Sequence, residues 1–253
     1  LYDADKSKQF FHYAFDGSDF PLRDLSLHGR DGVSDNLDFV DGYTGRAVGL
    51  GGNRGFVEVT ITSPIVFSEQ SLSLSLWLNP SDASGDVFTM SDGSDLFSLA
   101  FVAAQPRITV GGIQIDVPVT IPADRWTHLA LSIDQEIYSL YIGAVLVHTG
   151  QIDASFPQNP TVVRIGQGLS LSHPFGGAID EVILFKTALS QADICRQGLG
   201  YWTGDACDYA VMKYARVFYD FESLIPGPSP ALPAVPDRSS FNNHGILYGQ
   251  QVT

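Results

Sequence analysis

Carboxylates dominate the chemistry open to this sequence. Of its 28 acidic residues, 23 are Asp and 5 are Glu. Asp competes for the backbone and concentrates in caps and turns, so this acidity sits mostly in loops. Loop Asp is the usual oxygen ligand of Ca²⁺, and it is equally an ordinary turn former. Catalytic use is harder to find. A glycosidase needs two carboxyl groups facing one bond, which on a strand means acids two or four residues apart. Glu58, Glu69, Glu136, Glu181 and Glu222 are not paired in this way. Asp180 and Glu181 are consecutive, so on a strand they point to opposite faces. The six histidines show no metal-binding spacing, and His128 and His148 lie in strand-like segments, as structural histidines do. Gly168-Leu169-Ser170-Leu171-Ser172 lacks the last glycine of a nucleophile elbow. Gly49–Gly55 has Arg54 where a dinucleotide fingerprint needs glycine, and it opens no helix. The sequence predicts a protein that is not an enzyme.

Cys195 and Cys207 are the two cysteines. A bridge between them would close a short loop and contribute roughly 3 kcal/mol in the chain-entropy model. The alternative is two reduced, buried thiols. The segment between them, Arg196 to Ala206, is polar and glycine-rich and offers little core, which favours the disulfide. A disulfide implies a secreted or cell-surface protein. Neither cysteine has a CxxC neighbour or a histidine partner, so zinc and redox chemistry have no support.

These groups must be positioned by strands. Leu72, Leu74, Leu76 and Leu78 alternate with polar residues, as do Leu129, Leu131 and Ile133. Such strands pack one face on a core and show the other to water. Further strands are predicted at Phe10–Asp16, Phe56–Thr62, Val87–Met90, Leu96–Ala103, Arg107–Ile115, Val162–Ile165 and Ala178–Phe185, and at Ile137–His148 with a break at Gly143. Ser190-Gln191-Ala192-Asp193 matches a capping box and predicts one short helix, ended by Gly198 or Gly200. Ile225–Pro236 reads as an extended proline-rich connector, spanning roughly 37 Å as polyproline II. Hydrophobic residues make up 44% and charged residues 17%, enough apolar material for a core and too little charge for global disorder. The net charge of −14 repels polyanions, so nucleic acid is excluded as a partner. No apolar run is long enough for a membrane span, and membrane insertion is not expected. The opening residues, Leu1-Tyr2-Asp3-Ala4-Asp5, are not a signal peptide. Either one was removed or this is a piece of a longer chain.

Four landmarks carry a family resemblance. Phe15-Asp16-Gly17 ends an opening strand, followed by an Asp24…Ser26…Gly29 turn. Gly45-Arg46-Ala47-Val48 leads through Gly55-Phe56-Val57 to the Leu72–Trp77 strand. Trp126-Thr127-His128-Leu129-Ala130 precedes Leu140-Tyr141-Ile142-Gly143. Phe175-Gly176-Gly177-Ala178-Ile179-Asp180-Glu181-Val182-Ile183-Leu184-Phe185 precedes Ala188-Leu189-Ser190. From about Phe10 to Gln197 the chain resembles the laminin-G-like and concanavalin-A-like jelly rolls. The family's usual Asn-Gly turn is Gly143-Ala144 here, so an altered turn is expected there. The resemblance implies an all-β, two-sheet antiparallel jelly-roll sandwich whose first and last strands are neighbours. To this the sequence adds one short helix and an extended C-terminal arm. The domains expected are an extension at 1–9, the jelly roll at 10–200, a Cys-bridged connector at 201–213 and a proline-rich arm at 214–253. Some family members carry structural Ca²⁺ at the sandwich edge. By position, Asp180 would be a ligand, joined by Asp16 or Asp24, with carbonyls near Asp41-Gly42. The alternative is that Asp180 caps a turn and no metal binds.

Without catalysis, function falls to surfaces. The first expectation is an extracellular module for adhesion or assembly, Ca²⁺-stabilised and partnered by neighbouring domains or subunits. The arm would start a second jelly roll or dock on another subunit. Val217-Phe218-Tyr219-Asp220-Phe221-Glu222 echoes Phe11-His12-Tyr13-Ala14-Phe15-Asp16, and Ile246-Leu247-Tyr248 follows it. The second expectation is a carbohydrate-binding module. Its candidate aromatics are Tyr43, Phe175 and the pair Tyr201 and Trp202. A glycoside hydrolase is the remote alternative.

Overall fold

Leucine on every second position builds what it predicts: strands that share one buried face. The computed structural model describes residues 6–16, 22–26, 28–35, 37–50, 55–62, 67, 70–82, 84–93, 96–155, 159–197, 201–202, 207–208, 225–229, 232–235 and 245–246. They fall in two units, Asp5–Gln191 and Ala192–Thr253 with the first four residues. The first unit is all β. In chain order its strands are β1 (Gln9–Tyr13), β2 (Val33–Asp35), β3 (Asp38–Asp41), β4 (Arg46–Gly49), β5 (Phe56–Thr60), β6 (Leu72–Pro80), β7 (Gly85–Ser91) and β8 (Leu96–Val102). Then follow β9 (Gln105–Val110), β10 (Ile113–Asp116), β11 (Thr127–Asp134), β12 (Ile137–Ile142), β13 (Val145–Gln151), β14 (Val162–Ile165) and β15 (Gly177–Phe185).

They form two antiparallel sheets. One runs β13-β12-β11-β6-β15-β4-β3, with β1 also paired to β15; the other runs β10-β9-β8-β7-β14-β5-β2. This is the jelly-roll sandwich, with first and last strands adjacent. The core lies between the inner faces. Leu72, Leu74 and Leu76 of β6 sit opposite Ile133, Leu131 and Leu129 of β11, and all are buried. The second sheet adds Phe88, Met90, Phe97, Leu99, Ile108, Val110, Val163 and Ile165 to the same cluster. Burying large apolar side chains at roughly 1.5–3 kcal/mol each is the main force holding the layers.

The polar face of β6 is not wet, contrary to expectation. Ser73 and Ser75 are buried, as is Ser132 of β11. The segment after β15 lies over Ser73 and Ser132 as a strap, while Ser75 bonds His128. The Leu189 amide donates to Ser73 Oγ (2.8 Å) and to Ser132 Oγ (3.1 Å), and Ser73 Oγ donates to the Thr187 carbonyl (3.0 Å). Serine there satisfies a passing backbone, a role that alternation cannot distinguish from solvent exposure. The Gly143-Ala144 turn also differs from expectation. Ile142 pairs with Val145, and both turn residues have positive φ, 54° and 55°, as a two-residue type I′ hairpin requires. The residues change but the backbone does not.

The free edge of β1 is closed by the loop that follows. Asp24 organises that loop. Its carboxylate accepts from the backbone amides of His12 (3.0 Å), Ser26 (2.9 Å) and Arg30 (3.0 Å) and from Ser26 Oγ (2.8 Å). The Arg30 guanidinium donates to the Phe10 carbonyl and lies 4.0 Å from the Phe10 ring centroid.

In the second unit, Cys195 and Cys207 form a disulfide with Cα atoms 5.7 Å apart, so the free-thiol alternative is excluded. The predicted helix is α1 (Gln191–Arg196), starting directly after Ser190. Its proposed glycine stops, Gly198 and Gly200, lie outside the described residues. The strands β16 (Tyr201–Trp202) and β17 (Cys207–Asp208) pair antiparallel, and so do β18 (Ile225–Ser229) and β19 (Leu232–Val235), with β20 (Gly245–Ile246) beside β19. The proline-rich stretch is therefore a folded-back pair, not an extended connector. Its register explains how proline is tolerated. Pairing runs through Ile225, Ser229, Leu232 and Ala234, while Pro226, Pro228 and Pro233 take no registered place. Val217–Phe221 and Leu247-Tyr248 lie outside the described residues.

Asp24→Ala leaves the buried or half-buried amides of His12, Ser26 and Arg30 without this acceptor, while Ser26 Oγ keeps the Phe10 carbonyl at 3.4 Å. It should cost about 3 kcal/mol or more, read as a lowered urea midpoint with unchanged slope.

Candidate functional site

The acidic corner is built on an irregularity in β15. Its first half pairs with β4 through Ala178 and Ile179, its second half with β1 through Val182–Phe185. Between them the register with β6 shifts: Asp180 sits opposite Trp77 and Ile183 opposite Ser75. Glu181 takes φ 49°, so the strand bulges there. The bulge sets the two acids apart. Glu181 turns to β1, where its Oε2 lies 2.9 Å from His12 Nε2. Asp180 is completely buried.

The turn between β3 and β4 comes up against Asp180. The Thr44 amide donates to Asp180 Oδ2 (3.2 Å) and the Glu181 amide to Oδ1 (2.8 Å). Asp16 reaches the same turn, accepting from the Arg46 amide (3.1 Å). Two glycines make room. A Cβ on Gly42 would lie 2.7 Å from Asp180 Oδ2, and one on Gly45, whose φ is 59°, would lie 1.9 Å from Asp16 Oδ1. Burial pushes the Asp180 carboxyl up to about 8, and the charges of Glu181 and Asp16 push the same way. The amide bonds from Thr44 and Glu181 oppose them.

The turn also carries an aromatic. Tyr43 stacks on Trp77, with ring centroids 3.3 Å apart and planes 11° apart. Trp77 in turn meets His128 edge-on at 5.3 Å. Register places His128, Trp77 and Asp180 side by side on β11, β6 and β15, so one row crosses three strands. His128 Nε2 bonds Ser75 Oγ at 2.9 Å, while Nδ1 is buried without a partner.

Of the residues singled out by sequence, Asp16 and Asp180 converge on one turn. Asp24 instead closes the edge of β1. Among the described residues, no three His, Cys, Asp or Glu side chains gather where they could hold a metal. Phe175 is buried against Phe101, which removes it as a surface aromatic. The Tyr201–Trp202 backbone lies in β16, and the two side chains lie outside the described residues. Trp77 and His128 were missed as site residues. The signal was present, since Trp77 is the aromatic interruption in a leucine–serine strand.

The chain's residues 52–195, over half its length, match the family model described as the concanavalin A-like lectin/glucanases superfamily. No curated protein matches. Among solved structures, domain 4 of AbnA, a GH43 extracellular arabinanase from Geobacillus stearothermophilus, in complex with arabinotriose, superposes with a TM-score of 0.63 at 23% identity, over 75% of this chain and 98% of that one. The binding domain of Paraclostridial Mosquitocidal Protein 1 gives 0.59 at 15%, over 75% and 51%. The binding domain of botulinum neurotoxin DC in complex with rat synaptotagmin II gives 0.57 at 15%, over 75% and 50%. This chain thus spans about half the length of the toxin binding domains. At these identities the likeness shows the fold.

The row predicts an acid-side pH dependence. Burial holds the His128 imidazole down at about 3, so the folded protein keeps it neutral where the unfolded chain protonates it near 6.5. Its stabilising contribution is present above pH 6.5 and is lost as pH falls from there toward 3. His128→Gln should flatten the stability–pH curve in that window by up to about 1.4 kcal/mol per pH unit, the slope of one proton. Parallel urea titrations of both proteins check this, and superimposable slopes would refute it.

Proposed function

The chain belongs to the concanavalin A-like lectin/glucanases superfamily, and from that premise we propose a non-catalytic, extracellular carbohydrate-binding module steadied by Ca²⁺ at the Asp16–Asp180 corner. The observation that carries the binding reading is the Tyr43–Trp77 stack on the turn that meets both carboxylates. Tyr43 is half-buried, with one ring face fixed by Trp77. An aromatic held rigid at the surface beside exposed polar groups, here Thr44 and Asp16, suits the mixed apolar and hydroxyl surface of a sugar. The arabinotriose bound by the AbnA domain supports a glycan as the ligand class. The disulfide supports an extracellular setting. Among the described residues, no helix is long and apolar enough to cross a membrane.

Ca²⁺ is supported by the energetics of Asp180. This fully buried carboxylate has two like charges beside it and two amide donors, and among the described residues no cationic side chain acts on it. Such a group either stays protonated or has a positive partner. The carboxylates of Asp16 and Asp180 would hold the ion against the glycine turn. Backbone carbonyls and water would complete the six to eight oxygens. With two side-chain carboxylates, the site belongs with the weaker extracellular Ca²⁺ sites, Kd about 10⁻⁴–10⁻³ M. When bound, the ion neutralises the corner and ties β15 to the turn.

Catalysis is not part of this reading. Asp180 is out of reach of any substrate, Glu181 is paired with His12, and Glu58 is paired with Arg164 at 2.8 Å. Adhesion would follow from glycan binding and needs no separate site.

Saturating Ca²⁺ should raise the melting temperature over EDTA, with about 2.7 kcal/mol of stabilisation at a hundredfold excess over Kd. Asp180→Asn should abolish the difference and, in EDTA, melt no lower than the parent. Equal melts of the parent in EDTA and Ca²⁺ would remove the ion from the proposal. On a glycan array with Ca²⁺ present, the parent should bind neutral oligosaccharides. Tyr43→Ala should lose that binding tenfold or more while remaining folded, its melting temperature lowered only by the lost stack on Trp77, about 0.5–1.5 kcal/mol beyond the lost burial. A blank array for the parent refutes the carbohydrate reading.

A further inference from the structure

One exposed loop stands apart from the acidic remainder of the chain. From Ile165 to Ile179 there is no Asp, Glu, Lys or Arg, against a net charge of −14 for the whole. Between β14 and β15 this stretch closes on itself. The Phe175 amide donates to the Gly166 carbonyl at its base (2.9 Å), and the Asp86 amide donates to the His173 carbonyl (2.8 Å). Gly166, Gln167 and Gly168 are buried there, while Leu169 to His173 form an exposed tip. Leu169 is 36% exposed and Leu171 45%. The tip is held in place. Arg164 Nη1 donates to the Gly168 and Leu169 carbonyls (both 3.3 Å), and the Leu171 amide donates to the Gly168 carbonyl (3.3 Å). Leu171 takes φ 56°, a left-handed conformation that is costly for a bulky side chain. Such strain persists where the surrounding bonds enforce it, and here it holds a leucine that remains nearly half exposed. The polar side chains of the tip bond one another. Ser170 Oγ lies 2.6 Å from Ser172 Oγ, which lies 2.8 Å from His173 Nδ1. Groups already paired in this way lose less on leaving water.

We propose that the Leu169–Leu171 tip is a weak membrane anchor, dipping both leucines into the acyl boundary of a bilayer of net-neutral lipids while the sandwich stays in water. Size selects the occupant. A stable protein interface buries about 1,000 Å² or more, and two partly exposed leucines present a small fraction of that. A bilayer demands neither a large area nor a matching pocket, because acyl chains rearrange around any apolar side chain. Charge selects the lipid. At −14 the chain is repelled by anionic headgroups, whereas a net-neutral surface exerts no such repulsion. The tip brings no carboxylate or ammonium group that would have to be desolvated there. A single myristoyl chain gives an association constant of about 10⁴ M⁻¹, and two leucines bury less apolar surface than it does, so the anchoring is reversible. The inference stands independently of the carbohydrate reading, because no residue of the corner lies in this loop.

Co-sedimentation of the full chain with phosphatidylcholine vesicles, which carry no sugar, tests it. The expected result is reversible binding, half-complete on the order of millimolar lipid. The double variant Leu169→Ser, Leu171→Ser changes exposed side chains. It should bind about tenfold more weakly or worse, with the parent's melting temperature confirming that it is folded. Leu169→Phe with Leu171→Phe keeps the tip apolar and should keep the binding. Val33→Ser, which alters a side chain 57% exposed on β2, should bind like the parent. Adding phosphatidylserine to the vesicles should weaken the parent's binding, and salt should restore it by screening the repulsion. A parent that stays in the supernatant overturns the proposal. So does binding that survives the serine pair, that is lost in Val33→Ser or the phenylalanine pair, or that strengthens with phosphatidylserine.

Discussion

The fold depends on β15 having more neighbours than a strand normally takes. It lies against β6 along one side, while its other side is shared between β4 and then β1. Where one neighbour gives way to the next, the strand cannot keep an even register, and the bulge at Glu181 absorbs the mismatch. That bulge sends consecutive acids to different places. Glu181 is drawn to His12, and Asp180 is buried under the Gly42–Arg46 turn. The same crossing brings residue 16 and residue 180 to one spot, though they are far apart in sequence. The site is thus a by-product of closing the sandwich: the first strand must meet the last, and their meeting point is where the backbone is irregular.

Much of the sandwich was legible in the sequence, for a simple reason. Period-two patterning with leucine records which face is buried, so β6 and β11 could be read from spacing alone. Arg107–Ile115, read from the sequence as one strand, is a hairpin turned at Gly111-Gly112, where Val110 pairs with Ile113. Three short strands, β2 to β4, were not legible as strands by pattern. With three or four residues each they have too few turns of the pleat for a period to show. The serine face of β6 misled because burial of a hydroxyl depends on what lies over it. The Thr187–Leu189 strap comes from more than a hundred residues downstream, and no local signal announces it.

The corner divides the same way. Asp180 and Asp16 came from the family resemblance, and the structure brings both against one turn. Asp24 came from the same resemblance and proved to be an acceptor for three backbone amides and a hydroxyl. A carboxylate that holds a loop and one that is buried beneath a turn look identical in sequence. What separates them is the set of donors around each, a property of the fold. The Tyr43–Trp77 stack was illegible for a related reason. It joins a turn to a sheet face, and neither residue has a neighbour in sequence that implies the other.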